Sequence, residues 1–346
     1  MKRFIITLLF ASAALISCEK YETIKEADYD FKHNFELFWT LVDEQYCYLD
    51  YKNIDWNAVK EEMMPRVEAA QTEQEFFVIL SDALDYLRDG HVWMVSPFQQ
   101  YSCDTYYYDE NGVRYPDNFD RSLLRRYMKD NEIYHPMDSA LYYAEIEDGD
   151  RTYAYILYTG FDAAWSANDF KYIESVVSGA DGIIFDIREN PGGDGELGLN
   201  IAGQFFNTSE LVGYYAAKNG PGHNDHTELQ PLYVEPSKKH DWSSKPTMLL
   251  INRGVYSTAN LVTCALQYAP NVTIIGGKSG GGGAMPMTHY LPNGWLVVFP
   301  SNMLFDRDKQ HIENGIDPDI LMDADLDMVM GKDTIIERAI EELSKK

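Results

Sequence analysis

Two strand-to-helix turns and one glycine run hold the residues best suited to chemistry. Asp186-Ile187-Arg188-Glu189-Asn190-Pro191-Gly192-Gly193 follows an apolar run and precedes a helical one. Paired glycines let the backbone turn sharply and leave amides free to face a ligand. Such amides suit the oxyanion of an acyl-transfer intermediate, where one donor is worth about 3 kcal/mol; they equally suit an ordinary turn. The second turn, Arg253-Gly254-Val255-Tyr256-Ser257-Thr258-Ala259-Asn260, follows apolar Met248 to Ile251 and opens a helix bearing Leu261, Ala265 and Leu266. A serine there sits where the helix dipole favours negative charge and can present its hydroxyl as a nucleophile, or serve as a plain N-cap. Just beyond the next apolar run comes Gly276-Gly277-Lys278-Ser279-Gly280-Gly281-Gly282-Gly283. So many glycines do not stabilise a regular element, which suggests a mobile or ligand-contacting loop.

These segments need a scaffold, and the periodicity supplies one. Phe31, Phe35, Phe38, Trp39 and Val42 recur at helical spacing. Asp55 reads as the N-cap of a helix carrying Val59, Met63 and Val67, and Thr72 with Glu75 forms a capping box before Phe76, Leu80, Leu84 and Leu87. Three helices therefore lead to Asp89-Gly90-His91. Residues 92–150 are rich in Tyr, Asp and Asn and read as long loops with short strands and a helix near 121–129. Strands and helices then alternate: strand 152–157, helix 167–177, strand 182–187, helix 197–206, strand 247–251, a helix after Ser257, and strands 272–275 and 295–299. That order predicts an α/β fold with parallel strands and crossover helices, its site at the carboxyl ends of the strands.

At the N-terminus, Met1-Lys2-Arg3 and the apolar run 4–16 read as a signal peptide, too short to span a membrane. Leu15-Ile16-Ser17-Cys18 has the pattern of a bacterial lipobox, so Cys18 is the expected lipidated residue of an exported chain held at the cell envelope, in the periplasm or at the outer membrane. The expected layout is a signal peptide over 1–17, a tether over 18–28, a helical domain over 29–91, a loop-rich connector over 92–150 and a core domain over 151–346. Hydrophobic content of 45% is enough to fill a large core. A formal charge of −26 argues against nucleic acid as a partner, because phosphate contacts need clustered Lys and Arg. Cys47, Cys103 and Cys264 show no CxxC spacing, and His223 and His226 lack a third ligand at a recognisable spacing, so no metal or other cofactor is expected. Tyr101, Tyr106, Tyr107, Tyr108 and Tyr115 could line a groove or simply fill an exported loop.

Taken in order, the three helices ending in D-G-H, the D-x-R-x-N-x-G-G loop, the serine at a strand-to-helix turn, the glycine run and Glu313-Asn314-Gly315-Ile316-Asp317-Pro318-Asp319 resemble the tail-specific, or C-terminal processing, serine peptidase family and its tricorn-core relatives. The resemblance implies a crotonase-like spiral core of βαβ units after a small helical domain, and hydrolysis of a polypeptide substrate through an acyl-enzyme. It implies Ser257 as nucleophile, His91 as general base and Glu313 orienting the site, as in the tricorn-like branch, with Asp89, Asp186 and Asp319 as the other acids that could take the place of Glu313. The amides of Gly192, Gly193 and Thr258 are the oxyanion-hole candidates. Members with a serine–lysine dyad carry the lysine as G-K-G where this chain has Gly282, leaving Lys278 as the alternative base. Residues 92–150 are too few for the PDZ domain that many members hold. A relative that binds lipids shares the fold, so a non-catalytic peptide- or ligand-binding lipoprotein is the alternative reading.

Overall fold

In a computed structural model the described residues are 30–104, 118–135, 140–162, 165–322 and 331–346. The leader, lipobox and tether, and Tyr106, Tyr107, Tyr108 and Tyr115, lie outside them. The expected N-terminal helices are α1 (Phe31–Gln45), α2 (Trp56–Ala69) and α3 (Glu73–Asp85). Asp30 caps α1, Asp55 accepts from Ala58 N, and Thr72 accepts from Glu75 N, while the Glu75 carboxylate returns to Gln71 N at 2.7 Å. The aromatic stripe of α1 is buried at Phe35, Phe38 and Val42, and Phe31 stacks on Phe76 with centroids 4.8 Å apart. Trp39 and Trp56 each donate an indole N–H to the other's carbonyl, at 2.8 and 3.0 Å, which staples α1 to α2 without leaving either polar group unpaired.

These helices pack on a six-stranded antiparallel sheet in the order β2-β1-β11-β6-β7, with β10 also on β11. Its strands are β1 (Trp93–Val95), β2 (Gln100–Ser102), β6 (Glu210–Ala217), β7 (Gln230–Val234), β10 (Ala284–Tyr290) and β11 (Leu296–Phe305). One core joins Phe35, Phe38, Phe76 and Leu80 of the helices to Met94, Trp295, Val297 and Phe299 of the sheet. Segments far apart in the chain are thus made one body by apolar burial, at about 1.5–3 kcal/mol for each large side chain.

A second six-stranded sheet runs β12-β9-β8-β5-β4-β3, through β3 (Leu141–Asp148), β4 (Arg151–Tyr158), β5 (Gly182–Asp186), β8 (Thr247–Ile251), β9 (Val272–Gly276) and β12 (Ile320–Leu321). Its pairings are parallel except for β3 on β4. Every residue of β5 and β8 is buried, the continuous apolar pattern of strands covered on both faces. Helices α5 (Ala167–Gly179), α6 (Gly195–Ala202) and α7 (Thr258–Leu266) belong to the core on one face, and α8 (Thr334–Ser344) to that on the other. This is the expected mixed α/β architecture. It differs from the expectation at β3, which lies inside the connector read as loop, and at β6, β7 and β10. The expected helix near 121–129 is only α4 (Arg121–Leu124).

Candidate active site

The turns after β5 and β8 are welded together by amide side chains. Asn190 accepts from Gly192 N at 2.9 Å and donates to Tyr158 O at 2.8 Å, and its carbonyl receives Tyr256 N at 3.0 Å. Asn252 Oδ1 accepts from Glu189 N at 3.0 Å and Gly254 N at 3.1 Å. Beneath this, Arg188 is fully buried and pairs with Asp186 at 2.7 Å and with Asp333, the N-cap of α8, at 2.9 Å.

Ser257 ends the turn after β8, with φ 55° and ψ −123°. A side chain rarely adopts that conformation, and such strain persists only where the surroundings enforce it. Here Ser257 N donates to Gly281 O at 2.9 Å on one side. On the other, a Cβ added to Gly192 would lie 2.7 Å from that of Ser257, so only glycine allows the approach. Ser257 makes no side-chain capping bond to α7, which removes the plain N-cap reading, and its residue is half-buried.

Of the three oxyanion candidates, the Gly192 amide is already committed to Asn190 Oδ1 at 2.9 Å, and a spent donor is a poor one. Gly193 and Thr258 are tied to one another by the Thr258 hydroxyl, which donates to Gly193 O at 2.6 Å. A Cβ on Gly192 would lie 2.9 Å from Thr258 N, so the Thr258 amide lies on the Gly192 side of Ser257, while a Cβ on Gly193 would meet the Phe161 backbone.

His91 is buried, its ring 4.9 Å from that of Tyr256, the residue before Ser257. Its Nδ1 is buried without a hydrogen-bond partner among the described residues. Burial lowers the imidazole below its ordinary 6.5, Asp89 opposes the change and Lys52 adds to it. The acid bonded to the His91 backbone is Asp89, whose Oδ1 accepts from His91 N at 2.9 Å. Glu313 stands apart: one carboxylate oxygen accepts from Gly283 N at 2.8 Å and the other meets Lys52 Nζ at 2.7 Å. Burial, against the pull of Lys52 and with the help of Asp89, raises Glu313 to about 7. Burial alone would raise Asp89, but Lys52 and His91 hold it below its usual range.

Lys278, the alternative base, is not brought to this cluster. Its side chain is 43% exposed and its ammonium faces Asp317 at 3.3 Å. Nor is the glycine run a loose flap, since its glycines are buried and packed on 312–316 and 253–257. At Gly282, with φ +75°, an added Cβ would lie 2.6 Å from the Tyr256 ring and 3.0 Å from Ser257 N. The Tyr256 ring thus fills the space a side chain at 282 would need. Gly282→Lys should therefore destabilise the chain by about 1–3 kcal/mol through overpacking and left-handed strain. Thermal melting checks this, and an unchanged midpoint would show that Tyr256 yields freely.

Lys52 escaped the sequence reading. Its neighbours Tyr48, Asp50 and Tyr51 resemble any inter-helix linker, and no spacing sets it apart. His223 bridges Asp43 and Asp50 at 3.0 and 2.8 Å, away from this cluster.

The profile of peptidase family S41 matches residues 152–322, and that of the tricorn protease C1 domain matches residues 27–85. The chain is 28% identical over 143 residues to the carboxy-terminal processing protease CtpA of Bacillus subtilis (strain 168), a stretch covering 41% of this chain and 28% of that relative. A carboxyl-terminal-processing protease of Synechocystis is 28% identical over 135 residues, 38% of this chain and 29% of that one. The chain thus spans under a third of each of these relatives. Among solved structures, a chain from Parabacteroides merdae described as a candidate peptidase is 34% identical, with a TM-score of 0.82 over 91% of this chain and 96% of that one. Mature CPAF shares the fold at 11% identity and TM-score 0.64, over 93% of this chain and 97% of that one.

Proposed function

The chain belongs to peptidase family S41, the carboxy-terminal processing serine peptidases, and from that membership we propose that it is an endopeptidase that cleaves polypeptides through an acyl-enzyme on Ser257. The observation that carries the reading is a strained, uncapping serine seated between the Gly192-Gly193 turn and the glycine run, with the His91 ring against its neighbour. Strain of this kind is stored at sites that use it.

In this mechanism His91 takes the proton from the Ser257 hydroxyl as it attacks the scissile carbonyl, and later returns it to the leaving amine. Burial keeps the imidazole neutral at working pH, the form a base requires. The amides of Gly193 and Thr258 receive the oxyanion. Glu313 acts on the reaction from behind, because its carboxylate holds Gly283 N and so the glycine run, whose Gly281 carbonyl accepts from Ser257 N.

A signal peptide followed by Cys18 supports export and a lipid anchor at the cell envelope, in the periplasm or at the outer membrane. No helix among the described residues is long and apolar enough to cross a membrane.

A fluorophosphonate probe tests the chemistry, since an activated serine reacts and an inert one does not. Labelling at Ser257 supports the reading; a folded chain that resists the probe would mark the non-catalytic alternative. The rate should also rise as pH passes about 7, because both Glu313 oxygens face donors and only the ionised carboxylate accepts from both. Glu313→Gln, which cannot ionise, should lack that step. A step that survives in the variant would remove Glu313 from the account.

A further inference from the structure

Lys52 has no part in the reaction as drawn, yet three segments converge on it. Its ammonium lies 2.7 Å from Glu313 Oε1 and 3.2 Å from Asp89 Oδ2, and it donates to the carbonyls of Leu87 at 3.2 Å and Arg88 at 3.4 Å. The side chain is only 12% exposed, and its charge lies 5.7 and 5.5 Å from the ring centroids of Tyr46 and Tyr48. Burying an ammonium in this way is costly unless its partners are themselves fixed.

The partners are fixed, and each leads to a reacting group. Asp89 accepts from Tyr46 OH at 2.8 Å, from His91 N at 2.9 Å and from Tyr256 OH at 3.3 Å. One carboxylate thus grips the backbone of the base and the side chain next to the nucleophile. Glu313 grips Gly283 N, and Tyr48 OH donates to Gly283 O at 2.6 Å. Without an intervening cation, two carboxylates would face each other in a buried space and repel.

We infer that Lys52 is a positioning residue of this site: its ammonium bridges Asp89 behind His91 and Glu313 behind the glycine run, and so holds base and nucleophile in register. The inference rests on the peptidase reading. The titratable groups around it are Asp89, Glu313, His91, Tyr46, Tyr48 and Tyr51, with the Cys47 thiol close by and Tyr256 bonded to Asp89. Burial disfavours the lysine charge, but the two carboxylates outweigh it and keep Lys52 protonated above its ordinary value. A fixed positive charge there opposes protonation of His91.

The test compares Lys52→Met and Lys52→Arg in the full chain, following the His91 imidazole by NMR titration and peptide hydrolysis by kcat and KM. The methionine variant should titrate His91 at higher pH, move the Glu313 step of the rate profile upward as well because Lys52 holds both groups down, and lose about 100-fold in kcat with KM little changed. The arginine variant should keep the wild-type titration and recover most of the rate. A folded methionine variant whose His91 titration and kcat match wild type overturns the inference. If the methionine variant does not fold, the arginine variant decides alone: an unchanged His91 titration supports the role, and a displaced one in a folded chain overturns it. Failure of the peptidase reading looks different, because wild-type Ser257 would then ignore the fluorophosphonate probe while the His91 titration still reports on Lys52.

Discussion

Ser257→Ala should lower hydrolysis of an unfolded polypeptide by about a million-fold while leaving thermal unfolding almost unchanged. The rate falls because the acyl-enzyme has no oxygen to form on. Stability is spared for two reasons. The hydroxyl makes no capping bond to α7, so its loss leaves the start of that helix as it was. Alanine at φ 55° also carries nearly the same strain as serine, since both have a Cβ. His91→Ala should cost a comparable factor, and the double variant little more than either one, because nucleophile and base work as a unit. Steady-state kinetics beside melting curves check this, and two losses that multiply would show that the residues act independently.

Arg188→Met should destabilise the chain by about 3–5 kcal/mol. The guanidinium is fully buried between Asp186 and Asp333, with Asp186 accepting from its Nε at 3.0 Å and Asp333 from its Nη1 at 3.1 Å. Burial disfavours its charge, but the two aspartates dominate and hold it above its ordinary value. Methionine would leave two carboxylates in a dry space with no counter-charge. The damage should reach the site as well, because Arg188 anchors the turn that presents Gly193, and Asp333 caps the helix α8 that covers the sheet. Urea unfolding measures the loss, and adding Asp186→Asn and Asp333→Asn should recover part of it. A single variant as stable as wild type would mean that water or local rearrangement solvates the acids.

The local elements were legible where one periodicity dominated. The fully apolar runs of β5 and β8 and the stripes of α1 and α3 bury what their spacing implies. Strand β3, which buries Tyr143 on one face and Ala144 and Ile146 on the other, was hidden in a Tyr-rich and Asp-rich stretch. Pro286 interrupts the strand pattern of β10 at a register shift, where an edge strand tolerates it. The lysine at 278 looked eligible as a base because it was near in sequence, yet its stem leads outward to Asp317.

What the sequence by itself determined is the identity of the groups and the turns that expose them. Ser257 opens a helix after a buried strand, two glycines admit a close approach, and the order of motifs marks the family. Tertiary structure alone decided which of those groups are already paired and which partners they meet. Hydrogen bonding spends Gly192 N on Asn190 and ties the Thr258 hydroxyl to the Gly193 carbonyl. It also brings Lys52 onto Asp89 and Glu313, residues far apart in the chain. The reason is physical: exposure, desolvation and charge pairing depend on distances between segments that fold together, and residue type or spacing along the chain does not encode those distances.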